Sequence, residues 1–231
     1  RTPWFYSIVA AGIALALGGA ITGFILLGDS WFQLLIAGAL GIIFTQIAFL
    51  SHEAAHRQIL ASGPHNFRLA RILAGSIGMS YSWRDNKHTK HHGNPNMVGK
   101  DPDIEVDTIS FLDEDAARSR GLIRLITRKQ GWLFFPLLTL EGLNLHYLSI
   151  KYLVTKPNVK GRWIELGIIA LRFALLLTPI FLLLPLGMAF AFIGVQMAVF
   201  GVYMGASFAP NHKGMPIIDP SARLDFFSKQ V

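Results

Sequence analysis

The chain alternates between long stretches without a charged side chain and one long, more polar middle. Residues 4–27 and 31–50 carry no charge, and each is long enough to cross a hydrocarbon core of about 30 Å at about 1.5 Å per residue. Gly28, Asp29 and Ser30 supply the turn, so the pair predicts a helical hairpin. A second hairpin is predicted over 163–184 and 188–208, with Pro185 and Gly187 breaking the helix between its arms. Glu165 and Arg172 interrupt the first of these arms on one helix face. An intramembrane charge in that position is expected to turn into the bundle or snorkel to the interface.

Within the middle, residues 69–80 are apolar but too few to span, which predicts an interfacial or buried helix. Residues 132–154 are numerous enough, yet Pro136 interrupts them, and Glu141, Asn144 and Lys151 recur on one stripe. That pattern predicts an amphipathic helix lying at the interface. The fold class is therefore an all-α integral membrane protein. It has four transmembrane helices in two hairpins, a cytoplasmic segment over 51–162, and cytoplasmic or interfacial helices carrying the histidines. Residues 1–231 read as a single domain.

Charge gives the orientation. Sixteen of the 21 Lys and Arg residues lie in 51–162, whereas the two short turns at 28–30 and 184–188 have none. Basic residues collect on the cytoplasmic side, so the middle segment and both termini are expected there. The formal net charge of +7 fits loops beside anionic headgroups and does not require nucleic acid as a partner. With 52% hydrophobic residues, only 15% charged and a mean hydropathy of +0.43, the composition excludes an ordinary soluble domain. Cysteine is absent, so a metal site must rest on histidine and carboxylate. Arg1 and Val231 both look like internal cuts of a longer chain.

Histidine is where the chemistry collects. Directly after the second span, Ser51-His52-Glu53-Ala54-Ala55-His56 puts two imidazoles one helical turn apart, a spacing that can grip one metal ion or a tight pair. Later comes His88-Thr89-Lys90-His91-His92, whose three histidines again share a face. His212 follows the last span at the same predicted membrane depth. His65, in a Gly-Pro turn, reads as a loop residue, and His146, offset from the polar stripe of its helix, as a residue that supports a metal ligand from behind or as a packing residue. His52-Glu53-x-x-His56 also satisfies the H-E-x-x-H pattern of zinc metalloproteases, but such a site has no use for His88, His91, His92 and His212 together. A non-catalytic metal-binding membrane protein would show the same topology.

At these residues the sequence resembles the membrane fatty acid desaturase family, in its actinobacterial-looking branch. His-Glu-Ala-Ala-His-Arg at 52–57 is similar to the first histidine box, and His-Thr-Lys-His-His-Gly-Asn-Pro-Asn at 88–96 to the second. Phe-Ala-Pro-Asn-His-Lys-Gly-Met-Pro at 208–216 resembles the stretch with the additional histidine, and Asp-Pro-Asp at 101–103 matches as well. The resemblance implies two non-haem iron ions that use O2 and two electrons to remove two hydrogens from an acyl chain. It also implies His52, His56, His88, His91, His92 and His212 as ligands, with Glu53, Asp101 and Asp103 orienting imidazoles. The implied partners are a fatty acyl substrate, as acyl-CoA or acyl-lipid, a separate ferredoxin- or flavoprotein-type electron donor, and the bilayer of a bacterial cell. Relatives with similar boxes hydroxylate instead. A third histidine box, which the family carries beyond its last span, is expected past Val231, and these 231 residues alone are expected to be inactive.

Overall fold

The computed structural model describes residues 3–105, 109–208, 216–222, 224, 225 and 227–229. In chain order the helices are α1 (Pro3–Leu27), α2 (Gln33–Ala55), α3 (Gly63–Ser76), α4 (Tyr81–Gly93), α5 (Asp113–Arg118), α6 (Gly121–Arg128), α7 (Gln130–Thr155), α8 (Arg162–Leu183) and α9 (Leu186–Phe208). A short 3-10 turn, Phe227–Lys229, follows. The chain folds as two compact units: Arg1–Trp83 with Thr139–Met204, and Arg84–Leu138 with Gly205–Val231.

The first unit is built from apolar helices held by close backbone approach and a few side-chain bonds. Gly28, at φ +54°, turns the chain after α1, and the buried Gln33 amide closes the turn by donating to the Phe24 and Gly28 carbonyls at 2.7 and 2.9 Å. Helix α2 meets α9 where a methyl group at Gly41 would come within 2.9 Å of the Gln196 carbonyl oxygen. Small residues allow such contact between helices in lipid, where there is no hydrophobic drive between them. Gln46 reinforces the same pair by donating to the Tyr203 hydroxyl at 2.8 Å. Ser51 Oγ donates to Ala70 O at 2.9 Å and ties the end of α2 to α3.

Among the described residues, five helices, α1, α2, α7, α8 and α9, are long and apolar enough to cross a membrane. Four of them coincide with the expected spans to within a few residues. The fifth, α7, covers the segment expected at the interface, and Pro136 sits inside it without breaking it. Proline removes one backbone hydrogen bond, a loss that neighbouring helices can absorb in apolar helices of this kind. Helix α8 likewise runs through Pro179 and ends at Leu183, before Pro185. The helix expected over 69–80 begins earlier, at Gly63 with Pro64 in its first turn, so His65 is helical and does not lie in a loop.

Glu165 and Arg172 of α8 turn inward. Glu165 is fully buried; it accepts from Ser80 Oγ at 2.6 Å, Ser82 Oγ at 2.5 Å, Ser82 N at 3.2 Å and Arg71 Nε at 3.1 Å. Arg172 lies over the Phe44 ring, 4.3 Å from its centroid. His146 is buried, with Nδ1 2.6 Å from Gly142 O and Nε2 3.0 Å from Ile77 O, and packs against Phe173 and Phe200.

The second unit is richer in loops. Gln130 pins the chain before α5 to the start of α7 by bonding both the amide and the carbonyl of Ser110, at 3.1 and 2.9 Å. Ile218 pairs with the loop after α4: its amide donates to Asn96 O at 2.9 Å and its carbonyl accepts from Val98 N at 3.1 Å.

Candidate metal centre

Helix α2 carries the first histidine pair to its very end. His52 lies in its last turn and His56 caps it, after which Arg57 adopts φ +59° and stops the helix. One turn apart, the two imidazoles face each other, with Nε2 atoms 3.2 Å apart and ring centroids at 4.5 Å. Two nitrogens so spaced can both reach one first-row metal ion at about 2.1 Å each. Between them in sequence, Glu53 takes a different direction and accepts a hydrogen bond from the Tyr6 hydroxyl of α1 at 3.1 Å.

Helix α4 presents the second cluster. Ser80 caps its start by accepting from Trp83 N at 3.0 Å. His88 and His92, one turn apart, stack edge to face at 4.3 Å, and the His91 and His92 rings are 5.6 Å apart. His91 is buried and its Nδ1–H donates to Asp101, with both carboxylate oxygens at 2.9 Å. Asp101 is fully buried and is itself fixed by the amides of Asn96 at 2.7 Å and Asp103 at 2.9 Å. Asp103 is more exposed; it stands 3.4 Å from His91 Nδ1 and pairs with Lys87 at 3.0 Å.

These contacts set the electrostatics. The Asp101 hydrogen bond raises the pKa of His91, with burial opposing it. Burial works against the Asp101 carboxylate, but the bonds from His91 and from the Asp103 and Asn96 amides outweigh it and hold the carboxyl below its usual range. With Nδ1–H committed to a carboxylate, the lone pair of a neutral His91 is on Nε2. That is the arrangement in which a histidine is oriented and made more basic for a metal.

Comparison with known proteins places the chain. Residues 29–227 match the family model described as Fatty acid desaturase. The chain belongs to the fatty acid desaturase family. It is 25% identical over 241 aligned residues to Delta(8)-fatty-acid desaturase 2 of Arabidopsis thaliana, covering 98% of this chain and 53% of that protein. It is 33% identical over 164 residues to a Delta(8)-fatty-acid desaturase of Borago officinalis, covering 65% and 36%. Against Fatty acid desaturase 3 of Homo sapiens the identity is 32% over 136 residues, covering 54% and 31%. The chain thus spans between 31% and 53% of the length of these curated relatives.

All six histidines expected to bind metal fall inside the residues matched to the desaturase family. The first unit brings His52 and His56 together, and the second brings together His88, His91 and His92 with Asp101 and Asp103. His212 lies outside the described residues. Its described flanks are both attached within the second unit: the Arg84 guanidinium lies 5.7 Å from the Phe208 ring centroid, and Ile218 pairs with Asn96 and Val98. Sequence reading missed Lys87, which neutralises Asp103, and the Asn96 amide that fixes Asp101. The positive φ of Asn96, +55°, is the sort of turn for which asparagine is a sequence signal.

Proposed function

We propose that this chain is the membrane core of a non-haem di-iron, O2-dependent fatty acyl desaturase. The observation that carries the reading is the Asp101–His91 pair, a buried carboxylate bonded to the Nδ1–H of an imidazole, in a helix that also carries His88 and His92. The donor set fits the metal: neutral imidazoles suit iron, and histidine is the only strong nitrogen donor cluster in a chain without cysteine.

In this reading His52, His56, His88, His91, His92 and His212 hold two iron ions, and Asp101 keeps the His91 ring turned with Nε2 outward. Asp103, tied to Lys87, adds negative charge beside the same ring. Glu53 acts at one remove, bracing the end of α2 against Tyr6 of α1. When bound, the irons supply the oxidising power that removes two hydrogens from adjacent carbons of an acyl chain, using O2 and two electrons. The protein's part is to bind the metals, orient their ligands and exclude water. The acyl chain is carried as a thioester or in a lipid, and electrons come from a separate ferredoxin- or flavoprotein-type donor. The protein is a multi-pass protein of a bacterial cell membrane with its histidine boxes and both termini in the cytoplasm.

The test is product analysis of the full-length protein in a desaturase-free host, beside variants His92→Ala, His212→Ala and His65→Ala. A new double bond that disappears with His92→Ala and His212→Ala, together with lower iron content, while His65→Ala remains active, is the expected result. A hydroxylated product, a cleaved peptide, or equal activity of all three variants overturns the assignment.

A further inference from the structure

Helix α6 sorts its side chains cleanly but leaves the apolar ones outside. At roughly 100° per residue, Leu122, Leu125 and Ile126 fall on one side, and Arg124 and Arg128 on the other. None of its residues is buried; Leu122 is 70% exposed and Leu125 61%. A short helix with this pattern is made to lie between an apolar and a polar phase.

The place of α6 in the chain identifies the two phases. Only Lys129 separates it from α7, which is long and apolar enough to cross a membrane and whose Trp132 is 86% exposed in its first turn. Tryptophan collects at the headgroup level of a bilayer. Whether α7 crosses the bilayer or lies along it, its first turn is at the membrane surface, and α6 is there too. The charge is equally specific. Arg120, Arg124 and Arg128 recur every four residues and are all exposed, and no acidic residue occurs from 116 to 140. Arg118, by contrast, pairs with Glu114 of α5.

We infer that α6 is a lipid-docking helix that sinks Leu122 and Leu125 to the boundary between headgroups and acyl chains and binds the phosphates of anionic phospholipids through Arg120, Arg124 and Arg128. Basic residues at this depth are attracted to an anionic leaflet, and guanidinium groups suit phosphate oxygens. This surface is separate from the proposed metal ligands and does not depend on the desaturase reading.

The absence of cysteine makes the test direct, because one introduced cysteine can be labelled in the whole chain. An environment-sensitive fluorophore is placed on Leu125→Cys or Arg124→Cys, and the protein is reconstituted in vesicles of phosphatidylcholine alone or with about one-third phosphatidylglycerol. The label at 125 is expected to be quenched several-fold more by brominated lipid than by aqueous iodide, and the label at 124 the reverse. Phosphatidylglycerol should deepen the label at 125. In the Leu125→Cys background, changing Arg120, Arg124 and Arg128 together to Glu should remove that increment, whereas changing them to Lys should keep most of it. Iodide quenching at 125 equal to that at 124 would put the helix in water and overturn the proposal. Shielding from both quenchers would show that a second copy or another protein covers the face, and overturns it too. An identical response in the two vesicle types, or an increment that survives the Glu variant, would refute the headgroup contacts.

Discussion

Glu165 in the first unit and Asp101 in the second are both fully buried carboxylates, yet their surroundings differ in kind. Glu165 spends its oxygens on two serine hydroxyls, an amide and the Arg71 guanidinium, drawn from α3 and the start of α4. Its partners are groups that hold backbone and side chains in place, Ser80 also capping α4 through Trp83 N, so the cluster is a clamp that holds three chain segments together. Asp101 is steadied by two amides and then bonded through one ring nitrogen to an imidazole that stands in a helix with two further histidines. The first carboxylate closes a network, and the second passes orientation on to a further group. Buried charge of the first sort reports on architecture; buried charge of the second sort reports on chemistry.

Glu165→Ala tests that contrast most severely. It leaves the half-buried Arg71 guanidinium and two hydroxyls without this acceptor, and removing one partner of a buried pair costs up to about 3–5 kcal/mol. A large fall in the thermal midpoint of the purified protein is expected, and a shift under a degree or two would show that the clamp is dispensable.

Next in size is Asp101→Asn, which keeps the shape but removes the negative charge facing His91 and replaces one of the two accepting oxygens with an NH2 donor. Iron affinity should drop by about 10–100-fold, as for other carboxylates that orient a metal-binding histidine, while the thermal midpoint moves much less than in Glu165→Ala. Titration of the metal-free protein with iron reads the first and a melting curve the second. If Asp101→Asn unfolds as readily as Glu165→Ala, the two carboxylates play the same role and the contrast fails.

A smaller effect is expected from pH on the metal-free protein. Asp101 titrates below its ordinary value of 3.8, so its contribution to stability is present above that value and is lost as pH falls through the lowered one. His91 titrates above its ordinary 6.5, so its contribution is present below 6.5 and is lost as pH rises through the raised value. Amide exchange in residues 91–104 should be slowest between pH 3.8 and 6.5 once corrected for intrinsic rates. Asp101→Asn should flatten the profile; an unchanged profile in that variant would assign the pH dependence to other groups.

Least should follow from Lys87→Ala. Its bond to Asp103 joins two partly exposed groups, 40% and 37% accessible, and such pairs contribute about 0–1 kcal/mol. Iron affinity within about twofold of the parent protein is expected. A loss as large as that of Asp101→Asn would make Asp103, and not Asp101, the group that orients His91.

Much of this was legible in the sequence because it depends on local pattern. Charge-free runs located α1, α2 and α9, an apolar run interrupted by Glu165 and Arg172 located α8, Gly28 and Pro185 marked the turns, and one-turn spacing paired His52 with His56 and His88 with His92. What the sequence did not give away depends on distant partners. Nothing near Glu165 in the chain announces that Arg71 and Ser80 will meet it; for Asp101 the family resemblance suggested an orienting role, but not which imidazole it would meet. His65 was placed in a turn because Gly-Pro is a turn signal, but the same dipeptide also opens helices, as it does in α3.

The pairing of Ile218 with Asn96 and Val98 has a consequence for how the protein is made. About 120 residues separate Val98 from Ile218, and a ribosome adding about 5–20 residues per second needs roughly 6–24 s to cover that interval. Throughout that time the loop after the second histidine box is already synthesised but lacks its pairing strand, while α8 and α9 have still to be inserted. The nascent chain therefore waits with its second unit half assembled. This is the interval in which a holding chaperone, or premature metal capture, would decide the yield of correctly folded protein.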